Sequence, residues 1–363
     1  MSRLSMQKTL KHHPGWYRGD FHLHTNVSDG KYTPKELAGL AKEHGLDFFA
    51  ITDHNAIGSY TEFGDPEVLV IPGIEVTFDQ GHWNVFGMED WRDWMENICV
   101  GHISIPLNPK DKCTTDLMRR ISDQGLLNSI NHPLLKPWEW RDGETNLQYV
   151  DCLEIWNDPL WPDNRQANPQ AVDFWSDSLN AGYRITAIGG SDFHFLPGDT
   201  SRFPGERPGL PTTYVWGEAL SGEAILKGLR QHRVYVSLGP QVSFQAQLDG
   251  QQVPIGADLG SASGEVDLIA EVSGDPQATQ ARLVKNGRLL LETNLEEGRG
   301  ELRCHERTEA EKPAWYRLEV LDSEGAYLAL TNPIFSGTWR PPAPASFKDF
   351  MREEQAGEEA AKT

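Results

Sequence analysis

Long apolar runs are missing from this sequence. No stretch approaches the roughly 20 apolar residues that a membrane-spanning helix needs, and the opening Met-Ser-Arg-Leu-Ser-Met-Gln-Lys lacks the apolar segment of a secretory signal. The expectation is a cytoplasmic protein with no membrane partner. Basic residues are also scarce: Lys and Arg total 33 against 53 Asp and Glu, a formal net charge of −20, with no Lys/Arg cluster. Such a surface repels a phosphate backbone, so a small-molecule substrate is expected rather than nucleic acid. Cysteine is rare. Cys99, Cys113, Cys152 and Cys304 form no Cys-x-x-Cys pair and read as thiols buried as small hydrophobes.

What is present suffices for a sizeable core, since 38% of the 363 residues are hydrophobic and 10% aromatic. That length suggests two domains unless one is a large α/β barrel. The run Asp20-Phe-His22-Leu-His24 sets two histidines two apart, so that on a strand both imidazoles share a face. The apolar run Phe48-Phe49-Ala50-Ile51 reads as a buried parallel strand with Asp53-His54-Asn55 at its C-terminal end. Between them, residues 33–45 carry helix signals: Thr33 can cap, Pro34 suits the first turn, Glu36 completes a capping box and Gly45 can stop the helix. A strand–helix–strand crossover makes the two strands parallel, so His22, His24 and His54 can meet at one end of the sheet.

The pattern of strand followed by ligand type recurs. Residues 67–76 form an apolar run expected to deliver Glu75 past its end, residues 81–87 an alternating strand, and residues 126–130 a short strand ending at His132, which Pro133 fixes. Residues 114–125 and 220–231 read as helices, residues 101–112 as a loop, and Asn168-Pro169 as the opening of another helix. Cys152-Leu-Glu154-Ile-Trp156-Asn157 is a strand whose Glu154 and Asn157 can approach the same mouth. An apolar strand ends in Gly189-Gly190-Ser191-Asp192-Phe193-His194, and residues 195–211 read as a loop over the site. About seven such repeats favour a barrel.

From about residue 239 short alternating runs, with an Asn286-Gly287 hairpin signal, suggest a small β-sandwich. The expected organisation is a lead-in over 1–16, an α/β barrel over 17–238, a sandwich over 239–336 and a flexible tail over 337–363.

Each histidine alone reads more readily as a structural residue than as a ligand. Jointly His22, His24, His54, Glu75, His132, Asp192 and His194 stand at the ends of predicted parallel strands aimed at one rim. Mixed imidazole and carboxylate donors suit zinc, manganese or iron(II), and seven exceed what one tetrahedral zinc uses. Two or three ions bridged by a carboxylate, with Glu75 as the bridge, would activate water for hydrolysis, and phosphate esters match such a site best. A carboxyl ester or carbamate hydrolase and a non-catalytic metal-binding scaffold are the other readings.

The runs His22-Leu-His24-Thr with Asp29-Gly30, Thr52-Asp53-His54-Asn55, Gly73-Ile-Glu75, Asn131-His132-Pro133 and Gly190-Ser191-Asp192-Phe193-His194 resemble, in order and type, the motifs of the PHP (polymerase and histidinol phosphatase) family. Glu154-Ile-Trp-Asn157 and the trailing sandwich look most like its carbaryl-hydrolase-like branch. The resemblance implies a distorted (β/α)7 barrel, a di- or trinuclear metal site, ligation by those seven residues, and Asp29 as a further ligand. The family's fullest sites carry one more histidine between the Glu75 and His132 positions; His82 and His102 are the candidates here, for a ligand or a substrate contact. Asp53 is expected to orient a ligand, and Asn55, Asn157, Arg202, Trp83, Trp156 and Trp161 could line the pocket, although each tryptophan suits the core as well.

Overall fold

The crossover helix forms where its capping signals place it. The computed structural model describes residues 4–97, 114–195, 204–340 and 342–351, and in it a helix spans Pro34–Glu43 with a complete Thr33/Glu36 capping box. Leu37 and Ala41 bury its inner face, and Gly45 follows at φ +74°, a conformation glycine adopts without strain. The strands it joins, Gly15–Asp20 and Phe48–Ile51, are parallel, and Phe48–Ile51 continues in parallel to Leu69–Phe78.

The parallel run is then interrupted. Gly81–Phe86 is antiparallel to both Leu69–Phe78 and Leu127–Ile130, after which Cys152–Asn157 and Thr186–Gly190 follow in parallel. Glu75 therefore lies inside a ten-residue strand, opposite Asn84, rather than past a strand end. The reversal is a tight hairpin with Gly81 at φ +129°, and it returns His82 to the end of the sheet that carries Glu75.

The sheets do not close into a regular barrel. Among the described residues Thr186–Gly190 has a ladder partner on one side only. Beyond the strand ends, Leu23 and Phe193 form an isolated parallel bridge, the His22 carbonyl accepts from Asp192 N at 2.9 Å, and the Phe193 carbonyl accepts from His24 N at 3.2 Å. First and last strands are thus bridged at the tips that carry the ligand-type residues. Among the described residues the α-helices are Pro34–Glu43, Thr114–Asp123, Asn164–Asn180 and Gly222–Arg230, fewer than seven repeats require. Asn164–Asn180 starts a turn earlier than Asn168-Pro169 suggests, with Pro169 inside it. The tertiary reason is that Asn164 and Asn168 both bond Asn157 at the neighbouring strand tip.

On its other side Gly15–Asp20 pairs with Thr212–Gly217, then Val234–Ser237, Tyr327–Thr331, Ala314–Leu321, Gln280–Lys285 and Arg288–Asn294, so one 14-stranded sheet runs from the first part of the chain into the later β-rich region. A four-stranded sheet of Gln251–Pro254, Gln241–Leu248, Gly264–Ser273 and Gly300–Thr308 packs on it, with Phe244, Val266, Leu268 and Val272 against Leu283, Tyr316, Leu318 and Val320. The opposite face of Ala314–Leu321 presents Trp315, Arg317 and Glu319. Arg317 is buried, donating from Nε to Glu319 Oε1 at 2.8 Å and from Nη1 to Ser176 Oγ at 2.8 Å, with its guanidinium 5.1 Å from the Trp175 and Trp315 rings.

Part of the expected tail is anchored. Phe347 is buried 4.4 Å from the Phe174 ring, and its backbone N–H donates to the Thr145 carbonyl at 2.9 Å; two aromatics outweigh the Pro- and charge-rich composition around them. Residues 352–363 lie outside the described residues, as do Cys99, Cys113 and the expected loop over 101–112. Cys152 is buried, whereas Cys304 is only half-buried on an outer strand. No described helix is long and apolar enough to cross a membrane.

Candidate metal centre

Three strand tips leave their strands through left-handed backbone: Asn55 at φ +47°, His132 at +27° and Asp192 at +52°. Such non-glycine conformations cost energy and mark places where the surrounding structure dictates direction. At the first, the Asn55 side chain clamps the Thr77 backbone, donating to its carbonyl at 2.8 Å and accepting from its N–H at 3.0 Å. This sets His54 beside Glu75. Asn55 is thus a buried clamp, not a pocket wall.

Glu75 is fully buried at the centre. Its Oε1 lies 3.1 Å from His22 Nε2, 3.3 Å from His82 Nδ1 and 3.6 Å from His132 Nε2, while Oε2 lies 2.7 Å from His54 Nδ1 and 3.5 Å from His24 Nε2. Asp192 Oδ1 sits 3.2 Å from His22 Nε2 and 3.1 Å from His24 Nε2. Asp29 Oδ1 sits 3.2 Å from His194 Nε2 and 3.7 Å from His54 Nε2. Among the described residues four overlapping sets have donor atoms within 4.8 Å of one another: His24, Asp29, His54 and His194; His22, Glu75 and His132; His22, His24 and Asp192; His54, Glu75 and His82. His82 joins through the reversed strand. His102 and Arg202 lie outside the described residues.

The donor set fits divalent cations. Among the described residues, buried His22 Nε2, both ring nitrogens of His24, Glu75 Oε2, His82 Nδ1 and His132 Nδ1 make no well-directed hydrogen bond despite these short separations, a costly arrangement unless another group satisfies them. Burial works against ionised carboxylates, yet the surrounding histidines hold Glu75 and Asp192 well below the usual carboxylate range. Burial likewise opposes charge on His54, but Glu75, Asp29 and Asp192 outweigh it and push its pKa up to about 9. Burial, His194 and His54 push His24 down to about 3.

The proton on the His54 imidazole stands where a cation would bind. Ligation requires neutral imidazole, so metal loading near neutral pH should expel the His54 proton. Affinity should rise with pH until about 9 and fall roughly tenfold per unit below that for each proton released. A zinc titration in weak buffer with a pH indicator reads the release, and no acidification would refute this assignment.

Other expected residues take different places. The Asp53 carboxylate accepts from Thr25 N at 2.7 Å, from Thr25 Oγ1 and from Ser28 Oγ at 2.9 Å, holding the loop after His24. Glu154 and Asn157 are buried beneath the site rather than lining a pocket. Trp83 and Trp156 are core residues, their large apolar surface settling the choice. Trp161 meets Trp138 edge-on at 5.7 Å.

A cavity of about 240 Å³ opens onto Asp29, His54 and His82, bordered by Asp79, Trp138 and Arg141. Trp138 and Arg141 were not among the expected pocket residues. The only sequence signal was a pair of tryptophans, Trp138 and Trp140, in a loop after His132-Pro133, and Trp140 turns into the core.

The fold and site define a mixed α/β protein with a β-rich addition and a His/Glu/Asp cluster that could hold metal. Residues 20–132 match the model of the PHP domain, a span that holds His22, His24, Asp29, His54, Glu75, His82 and His132. No curated protein matches the chain. Among solved structures it is similar to a two-domain protein containing a predicted PHP-like metal-dependent phosphoesterase from Bacteroides vulgatus ATCC 8482, at 18% identity over 92% of this chain and 99% of that one, TM-score 0.47. It is also similar to a proposed metal-dependent phosphoesterase from Bifidobacterium adolescentis ATCC 15703, at 15% identity over 52% and 92%, TM-score 0.39. A third likeness is to an amidohydrolase from Chromobacterium violaceum with bound sulfate and no metal, at 18% identity over 53% and 89%, TM-score 0.32.

Proposed function

We propose that this protein is a metal-dependent hydrolase, a phosphoesterase acting on a small phosphomonoester or diester. The observation that carries the reading is the set of overlapping ligand groups, two of them joined through Glu75. Two or three divalent ions, zinc, manganese or iron(II), would supply Lewis acidity toward phosphoryl oxygens and make water more acidic. The groups that would hold them are His22, His24 and Asp192; His22, Glu75 and His132; His54, Glu75 and His82; and His24, Asp29, His54 and His194, and Glu75 is the carboxylate that two of these groups share.

The chain's own residues set the rest. Asn131 Nδ2 donates to Glu75 Oε1 at 2.8 Å and fixes the orientation of the carboxylate. The cavity of about 240 Å³ admits a compact substrate, and a net charge of −20 disfavours a polyanionic one. The proposal includes a cytoplasmic location, no nucleic-acid or membrane partner, and a distorted seven-stranded barrel joined at the Leu23–Phe193 tips.

Carboxyl ester or carbamate hydrolysis is the second reading, favoured by the exposed Trp138 ring and by Arg141 being engaged with Glu139 Oε1 at 3.3 Å. Metal-reconstituted protein is to be assayed with p-nitrophenyl phosphate, bis-p-nitrophenyl phosphate and a naphthyl ester. Phosphate turnover supports the first reading, ester turnover alone replaces it with the second, and inactivity on all three leaves a metal-binding scaffold.

A further inference from the structure

The carboxylate of Glu154 is 2% exposed and lies directly behind the cluster. Oε1 is 3.0 Å from His22 Nδ1. Oε2 accepts from His132 N at 2.7 Å and from Asn157 Nδ2 at 3.1 Å. Asn157 is held in turn: its Oδ1 accepts from Asn164 Nδ2 at 3.1 Å, and its backbone bonds both ways with the Asn168 side chain. Space for the His22 contact comes from Gly190, where a Cβ would collide with both Glu154 Oε1 and His22 Cβ.

We propose that Glu154 is a positioning residue for the metal centre, its two oxygens fixing the tautomer of His22 and the backbone direction of His132. The inference rests on the metal-site reading above. Oε1 gives His22 Nδ1 an acceptor, so Nδ1 is the nitrogen that donates to Glu154 and Nε2, which faces Glu75 Oε1 and Asp192 Oδ1, is the one left for a metal ion. On the other oxygen, the bond to His132 N holds a residue at φ +27°. One carboxylate thereby organises two separate strand tips.

Glu154→Gln tests this at nearly constant shape. His132 N and Asn157 Nδ2 are both donors, so the amide oxygen takes the Oε2 side and the amide NH2 faces His22 Nδ1. Nδ1 must then accept, the proton moves to Nε2, and the lone pair needed for ligation is lost. Glu154→Asp keeps the charge but is one methylene too short to span His22 and His132.

Cobalt(II) titration of metal-stripped protein, followed by visible absorption and by ions bound per chain, reads the effect without turnover. The Gln variant is expected to bind cobalt about 10- to 100-fold more weakly, with an altered spectrum, the scale typical of lost outer partners of a metal ligand. The Asp variant should fall between. Thermal unfolding of the metal-free proteins checks that both remain folded; should the Gln variant not fold, the Asp variant decides. Unchanged cobalt affinity and spectrum in the Gln variant, or wild-type binding by the Asp variant, would overturn the proposal. Failure of wild-type protein to bind cobalt would instead sink the metal-site reading itself.

Discussion

Replacing Glu75 by alanine is expected to abolish metal binding and hydrolysis together. Its two oxygens face five different histidines, so no other single side chain touches as much of the centre. Removal leaves imidazoles with less negative charge to offset bound cations. Loss of several kcal/mol of transition-state stabilisation corresponds to a fall in kcat of about a thousandfold or more. Elemental analysis and the phosphate assay run on the same preparation check it; turnover surviving at wild-type level would place the chemistry elsewhere.

The second large effect is on stability. Arg317→Met should destabilise the protein by about 3–5 kcal/mol, because it strands Glu319 as a buried unpaired carboxylate. It also removes the bond to Ser176 on the Asn164–Asn180 helix. Replacing both partners with apolar residues of similar volume should restore most of the loss, since a buried ion pair must first offset its own desolvation. Urea unfolding of Arg317→Met, Glu319→Leu and the double variant measures this, and additive losses would show that the pair is not coupled.

Features written in local sequence were legible. Thr33, Pro34, Glu36 and Gly45 specify a helix from neighbours alone, and the helix is there. His22 and His24, two apart around the core residue Leu23, also announced their shared face. Strand direction was not legible, because alternation at residues 81–86 is the same whichever way the strand runs; only the turn at Gly81 reverses it. Glu154 illustrates a second limit. Its position on a strand was readable, but its partner His22 is 132 residues away in sequence, and only the closing of first and last strand tips brings them together. For Trp83 the sequence favours core over pocket, and the packing agrees. Phe347 was hidden because composition averages over a segment while one buried ring can anchor it.

The 14-stranded sheet has a mechanical consequence. The strand that leads into His22 and His24 is hydrogen-bonded edge to edge, through Thr212–Gly217 and Val234–Ser237, with strands contributed from beyond residue 280. Asn332 reinforces that seam by exchanging two side-chain bonds with the backbone of Ala187, on the strand that leads to Asp192. Severing the chain near residue 238 would leave a bare strand border, the kind that recruits a second copy, and would unbrace the base of the strands that lead to the histidine and carboxylate cluster.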